Sequence, residues 1–155
     1  MIKTSLSHPA LAVVLLTAFC GLLFNPPRAA ATGSRCSNST LVGDYGYSAE
    51  GVLMGTPGLP PEVPFRSVGM AHFDGRGNAT WVEHTVINGV SLEVGWTSAT
   101  IAYQVNANCT GLLVVDTPNS PVPLNLYFAI VKEGNEFRTV LDNSAISSVF
   151  TRLQY

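Results

Sequence analysis

Charge is scarce in this sequence. Only 12% of its 155 residues are Asp, Glu, Lys or Arg, and no run of basic residues occurs anywhere. Without a Lys/Arg stripe to neutralise phosphates, nucleic-acid binding is not expected. Beyond the first thirty residues there is no long apolar run, so the remainder has no segment that crosses a membrane as a helix. Cysteine and histidine are equally sparse, three of each, and their spacing fits no zinc or redox pattern. No Gly-x-Ser-x-Gly marks a nucleophile elbow. Neither a metal nor a cofactor is expected. From Leu41 onward no stretch sustains the 3.6-residue periodicity of a helix.

What is present begins with a leader. Lys3 in a short polar head precedes an apolar run from Ala10 to Phe24, then Pro26-Pro27 and the small residues Ala29-Ala30-Ala31. This is the pattern of a secretory signal peptide, cleaved after Ala31, so the chain is expected to be secreted or periplasmic. Bulky Phe19 before Cys20, with apolar residues continuing beyond it, argues against a lipid anchor there. The expected mature domain, residues 32–155, keeps all ten acidic residues against six basic ones, a formal net charge of −4. Its length suits one domain. It also keeps two cysteines, Cys36 and Cys109, which an oxidising compartment would join.

The mature chain reads as strands and turns. In "ATIAYQV" the residues Ala99, Ile101, Tyr103 and Val105 share one face; "LNLYFAIV" and "EFRTVLD" alternate in the same way. Turn signals separate the runs: "DGRGN", "INGV", "NANCTG", "TPNSPVP", "KEGN" and "DNSA". Strands are expected at 43–51, 65–74, 79–88, 92–105, 111–116, 124–131, 136–142 and 146–154, with the proline-rich "GTPGLPPEVP" (55–64) as a long loop. The connections are too short for crossover helices, so neighbours pair antiparallel. An all-β fold, a single eight-stranded up-and-down barrel, follows; it removes exposed edges. A β-sandwich is the alternative.

The stretch "FDGRGNATW" (73–81) is read as a hairpin tip, since no helix follows to make a phosphate loop and Gly75, Arg76 and Gly77 offer no calcium ligands. With Arg76 at its centre, His72 faces Thr80 and His84 faces Val68. This holds the two imidazoles about 13 Å apart at ~3.3 Å per residue, too far for a shared metal. The same register sets Phe73, Trp81 and Glu83 on one face, taken as the interior. Glu83 then lies either among aromatics or at a wet rim.

"GDYGYSAEG" after a Cys, "VGMAHFDGRGN", "YQVNANCTGLL", "IVKEGNEFRTVL" and the terminal "TRLQY" resemble a group of small exported bacterial β-barrel proteins. These in turn resemble the calycin and allene oxide cyclase type of barrel. The resemblance implies a calycin-like fold, in which Tyr45 of Gly43-Asp44-Tyr45 stands for the family's first-strand Trp and Arg152 for the basic residue packed across it. It carries no catalytic residue to this chain.

Three functions stay open. One is a binding module, with a small apolar ligand in the interior or mouth among Tyr45, Tyr47, Phe73, Trp81, Tyr103 and Phe128, and Glu83 beside it. Another is a cyclase- or isomerase-like enzyme using Glu83 as acid/base. The third is a filled barrel that works through its surface.

Overall fold

A computed structural model describes residues 35–55 and 58–155. The expected leader, residues 1–31, lies outside the described residues. Nine strands form one sheet: β1 (Val42–Met54), β2 (Glu62–Asp74), β3 (Asn78–Ile87), β4 (Val90–Ser91), β5 (Thr97–Val105), β6 (Thr110–Asp116), β7 (Leu124–Val131), β8 (Glu136–Leu141) and β9 (Ala145–Arg152). Every pairing is antiparallel, and β1 pairs with both β2 and β9, which closes eight strands into an up-and-down barrel with β4 as a short extra. The barrel, and not the sandwich, is the fold.

Alternation sorts the side chains. In β5, Thr97, Ala99, Ile101, Tyr103 and Val105 are buried while the residues between them are exposed. Eight aromatic rings are buried among the described residues: Tyr45, Tyr47, Phe73, Trp81, Tyr103, Phe128, Phe137 and Phe150. They touch in a continuous chain, from Tyr45–Phe73 (5.3 Å between centroids) through Phe73–Phe137 (5.5 Å) to the stacked pairs Phe137–Phe150 (4.3 Å) and Phe150–Tyr47 (4.8 Å). Room for them comes from two glycines. A Cβ on Gly69 would stand 2.6 Å from the Tyr47 ring, and one on Gly111 would stand 2.2 Å from Phe128, its cross-strand partner. Each ring therefore lies over bare backbone, which side chains of any other residue would block.

The two ends of the barrel differ. We call the base the end that gathers residues 35–41, the three turns 75–77, 106–109 and 132–135, and the C-terminus. There Arg152 donates to the Tyr45 hydroxyl (3.0 and 2.7 Å) and to Thr40 O (2.9 Å), and its guanidinium lies 5.3 Å from the Tyr45 ring centre. Tyr45 in turn donates to Gly134 O at 2.6 Å. The Cys36–Cys109 disulfide fastens residues before β1 to the β5–β6 turn. The opposite end, the mouth, gathers the end of β1 at Met54, the start of β2 at Glu62 and residues 88–96, 117–123 and 142–144.

Two strand expectations need correction. The run 92–105 is not one strand: β5 starts at Thr97, and residues 92–96 leave the sheet after the Asn88-Gly89 turn, both of whose residues have positive φ (52° and 79°). The loop is held by His84, whose Nδ1 donates to Gly95 O at 2.7 Å, and Gly95 has φ 99°. The alternation of "SLEVGW" is therefore a loop with exposed apolar residues. The long loop 55–64 is also shorter than expected, because β2 begins at Glu62 and contains Pro64. Pro64 lies past the last β2–β3 pair, Phe65 with Ile87, so its missing N–H removes no bond on that side.

The hairpin register holds as read: His72 pairs with Thr80, Ala71 with Trp81 and Val68 with His84. Asp74 builds the turn, its Oδ1 accepting the backbone N–H groups of Arg76 (2.7 Å), Gly77 (3.0 Å) and Asn78 (3.0 Å). These bonds, that from Asn78 first, hold its carboxyl down to about 2. The folded value lies below the unfolded one of about 3.9. Asp74 thus contributes stability that is complete above pH ~4 and is lost as pH falls through about 2. Thermal melts from pH 7 to 1.5 should show Asp74→Asn less stable than wild type at neutral pH, with the gap closing at the acid end; a gap independent of pH would contradict the turn's ionic character.

Candidate functional site

The interior changes character along its axis. Toward the base it is rings and aliphatic groups, whereas above the rings Ser67, Glu83, Thr85 and Thr97, with Thr117 just beyond β6, form a buried polar layer, and the buried apolar Val63 and Ile146 follow at the mouth ends of β2 and β9. Glu83 sits at the centre of this polar layer. It is 7% exposed, and alternation along β3 places it on the inward face two residues from Trp81. Its Oε1 accepts from Thr117 Oγ1 (3.0 Å) and Asn119 Nδ2 (3.2 Å), both from the start of the β6–β7 loop; its Oε2 accepts from the Tyr47 hydroxyl at 3.3 Å.

A directional chain runs into this carboxylate. Thr85 Oγ1 donates to Ser67 Oγ (3.0 Å), Ser67 lies 3.0 Å from the Tyr47 hydroxyl, and Tyr47 donates onward to Glu83. Burial pushes the Tyr47 phenol far above its ordinary range; the Ser67 hydrogen bond opposes this and the charge of Glu83 adds to it. Tyr47 is therefore a proton donor throughout the working pH range. Beside it, the Trp81 Nε1–H is buried with no hydrogen-bond partner: it faces the Tyr47 hydroxyl without reaching bonding geometry. Buried donors of this kind are uncommon and call for a reason.

All three of Tyr47, Trp81 and Glu83 thus meet in one place. The other residues expected at a ligand site do not join them. Tyr45 is tied to Gly134 and Arg152 at the base, Tyr103 donates to Leu41 O at 3.0 Å, and Phe73 and Phe128 are enclosed among rings. Two rings of that enclosure, Phe137 and Phe150, and the two Glu83 partners Thr117 and Asn119 were not singled out from sequence. Alternation in "AISSVF" carries the signal for Phe150; nothing local points "DTPN" at Glu83. His72 lies on the outer wall, 2.7 Å from Asp44, and His84 supports the mouth loop.

Three clefts, of about 670, 390 and 180 Å³, lie mainly on outward-facing residues of the wall, such as Gln104, Tyr127 and Arg138 in the largest. Among the described residues no group of three or more His, Cys, Asp or Glu side chains comes together to hold a metal ion.

The charges are segregated. Glu62, Glu93, Asp116 and Asp142 stand at strand ends or loops of the mouth and Glu83 points inward below them; the one basic residue of this half is Arg66, opposite Val86 near the end of β3. The basic residues Arg35, Arg76, Lys132, Arg138 and Arg152 belong to the base half, with Asp44, Asp74, Glu133 and Glu136 among them. Arg66 on the wall is paired with Glu50. The net negative charge is therefore carried by the mouth.

No protein-family model, curated protein or solved structure matches the chain.

Hydrogen bonds to a charged group contribute about 1.5–3 kcal/mol each. Thr117→Val removes one donor from Glu83 at nearly constant volume and should lower stability by about that much in urea unfolding. In a Glu83→Gln background the same change should cost less, a coupling in the range of about 0.5–3 kcal/mol for residues in contact. Equal costs in both backgrounds would mean that Thr117 does not serve the carboxylate.

Proposed function

We propose that the protein is an exported binding barrel that holds a small molecule at its mouth, over Glu83, and not among the rings of its interior. One observation carries this reading: a buried carboxylate at the mouth is met only by neutral donors, beside an indole N–H that has no partner. Burying a charge without a counter-charge is costly, and a fold that served stability alone would gain by an apolar residue there. Retained polar groups of this kind, convergent at one end of a barrel, are the usual form of a recognition site.

The aromatic plug narrows the site. Because Tyr45, Phe73, Tyr103 and Phe128 contact other rings and one another, the ligand reads Tyr47, Trp81 and Glu83 from above. The Cys36–Cys109 bridge supports an oxidising destination, secreted or periplasmic. The Tyr45–Arg152 contact supports the calycin resemblance, in which a basic residue late in the chain packs across an aromatic of the first strand.

Ligand-observed NMR against a mixed set of small fragments tests the proposal. Wild-type protein should bind a subset of them, the Trp81 indole signal should move, and Glu83→Gln should weaken those fragments by about tenfold or more, about 1.4 kcal/mol. Absence of any binder, or binders that move only signals of the outer wall, would leave a filled barrel acting through its surface.

A further inference from the structure

The reading above leaves the ligand's chemistry open, and the mouth specifies it. A carboxylate has about four lone-pair positions. Glu83 fills two on Oε1 with Thr117 and Asn119, and its Oε2 has only the long 3.3 Å bond from Tyr47. Oε2 thus keeps a lone pair that no donor of the protein takes up. Next to it, the Trp81 Nε1–H needs an acceptor. The complementary molecule presents an N–H donor with positive charge and, close to it, a neutral oxygen.

We propose that the mouth binds a small organic ammonium bearing a hydroxyl or carbonyl near its nitrogen, an inference that rests on the small-molecule reading above. The ammonium takes Glu83, supplying the counter-charge that the interior lacks, and the oxygen accepts from Trp81. Asn119, half-buried on its loop, gives Oε1 a neutral N–H. A charged donor makes a hydrogen bond roughly twice as strong as a neutral one, so an ammonium at Oε2 is favoured over a neutral donor there.

An independent feature agrees in sign. Apart from Glu83, four acidic residues, Glu62, Glu93, Asp116 and Asp142, stand at the mouth among the described residues, and the one basic residue of that half, Arg66, is paired with Glu50, so the net field draws cations in and repels anions. A metal ion is the less suited cation, since the carboxylates are spread around the rim and do not converge as a ligand set.

The test uses three probes on one skeleton, with the full exported chain: phenylethanolamine, styrene glycol and mandelate carry an ammonium, a hydroxyl and a carboxylate at the same position. Calorimetry or NMR titration should rank phenylethanolamine about tenfold or more above styrene glycol and mandelate weakest, with the preference falling as salt rises. Glu83→Gln should abolish the preference. Because the ranking is made on wild-type protein, it stands whether or not the variant folds. If styrene glycol binds as tightly as phenylethanolamine, or mandelate binds best, the ammonium assignment is wrong while a small-molecule site remains. If none of the three binds, the assignment is equally overturned, and the fragment screen decides the broader reading separately.

Discussion

A closed barrel of eight strands encloses a narrow interior, and that volume must be filled by side chains or by a ligand. Here eight rings fill it, and their packing is what the remaining features depend on. Large aromatics bury more apolar area per residue than any other choice, and edge-to-face and offset contacts add to that. Their cost is bulk. Gly69 and Gly111 are the answer on the inward face, because each gives up its side chain at a point where a ring from the neighbouring strand lies flat against the backbone.

Filling the base with rings forces polarity to the ends. At the base, the hydroxyls of Tyr45 and Tyr103 reach backbone carbonyls at the rim of the plug, and Arg152 and the disulfide close the bottom from outside. At the mouth, the Tyr47 hydroxyl points the other way and becomes the last donor in a chain leading to Glu83. The same plug thus places Tyr47 against the only buried carboxylate, among the described residues, without an Arg or Lys partner; Glu136, the other, is paired with Lys132 and Arg138. The acidic mouth and near-balanced base follow the same division.

Much of this architecture was legible in the sequence, and for identifiable reasons. Strict two-residue alternation and turns rich in Gly, Asn and Pro carry local information, so β6 and β7 could be placed, and the hairpin centred on Arg76 with its register. The pairing of Cys36 with Cys109 followed from their number. The loop 92–96 was misread because Leu92, Val94 and Trp96 alternate like a strand; the Asn88-Gly89 turn was legible, but the His84–Gly95 bond that holds the loop off the sheet joins residues 11 apart and leaves no local signal. Glu83 was recognisable as an inward residue but its partners were not. Thr117 and Asn119 reach it from 34 and 36 residues away, across a neighbouring strand, and only the closure of the barrel brings them there.

The rings pack against one another from Tyr45 to Tyr47, and on the proposed reading they leave a ligand only the mouth. Xenon uptake measures this directly, since the gas enters apolar cavities and little else. The account predicts no xenon site among Tyr45, Phe73, Phe137 and Phe150 in the wild-type protein, and a new one in Phe150→Ala, accompanied by a stability loss of about 3–5 kcal/mol. Xenon bound among those rings in the wild-type protein would contradict the account and return the ligand site to the barrel's centre.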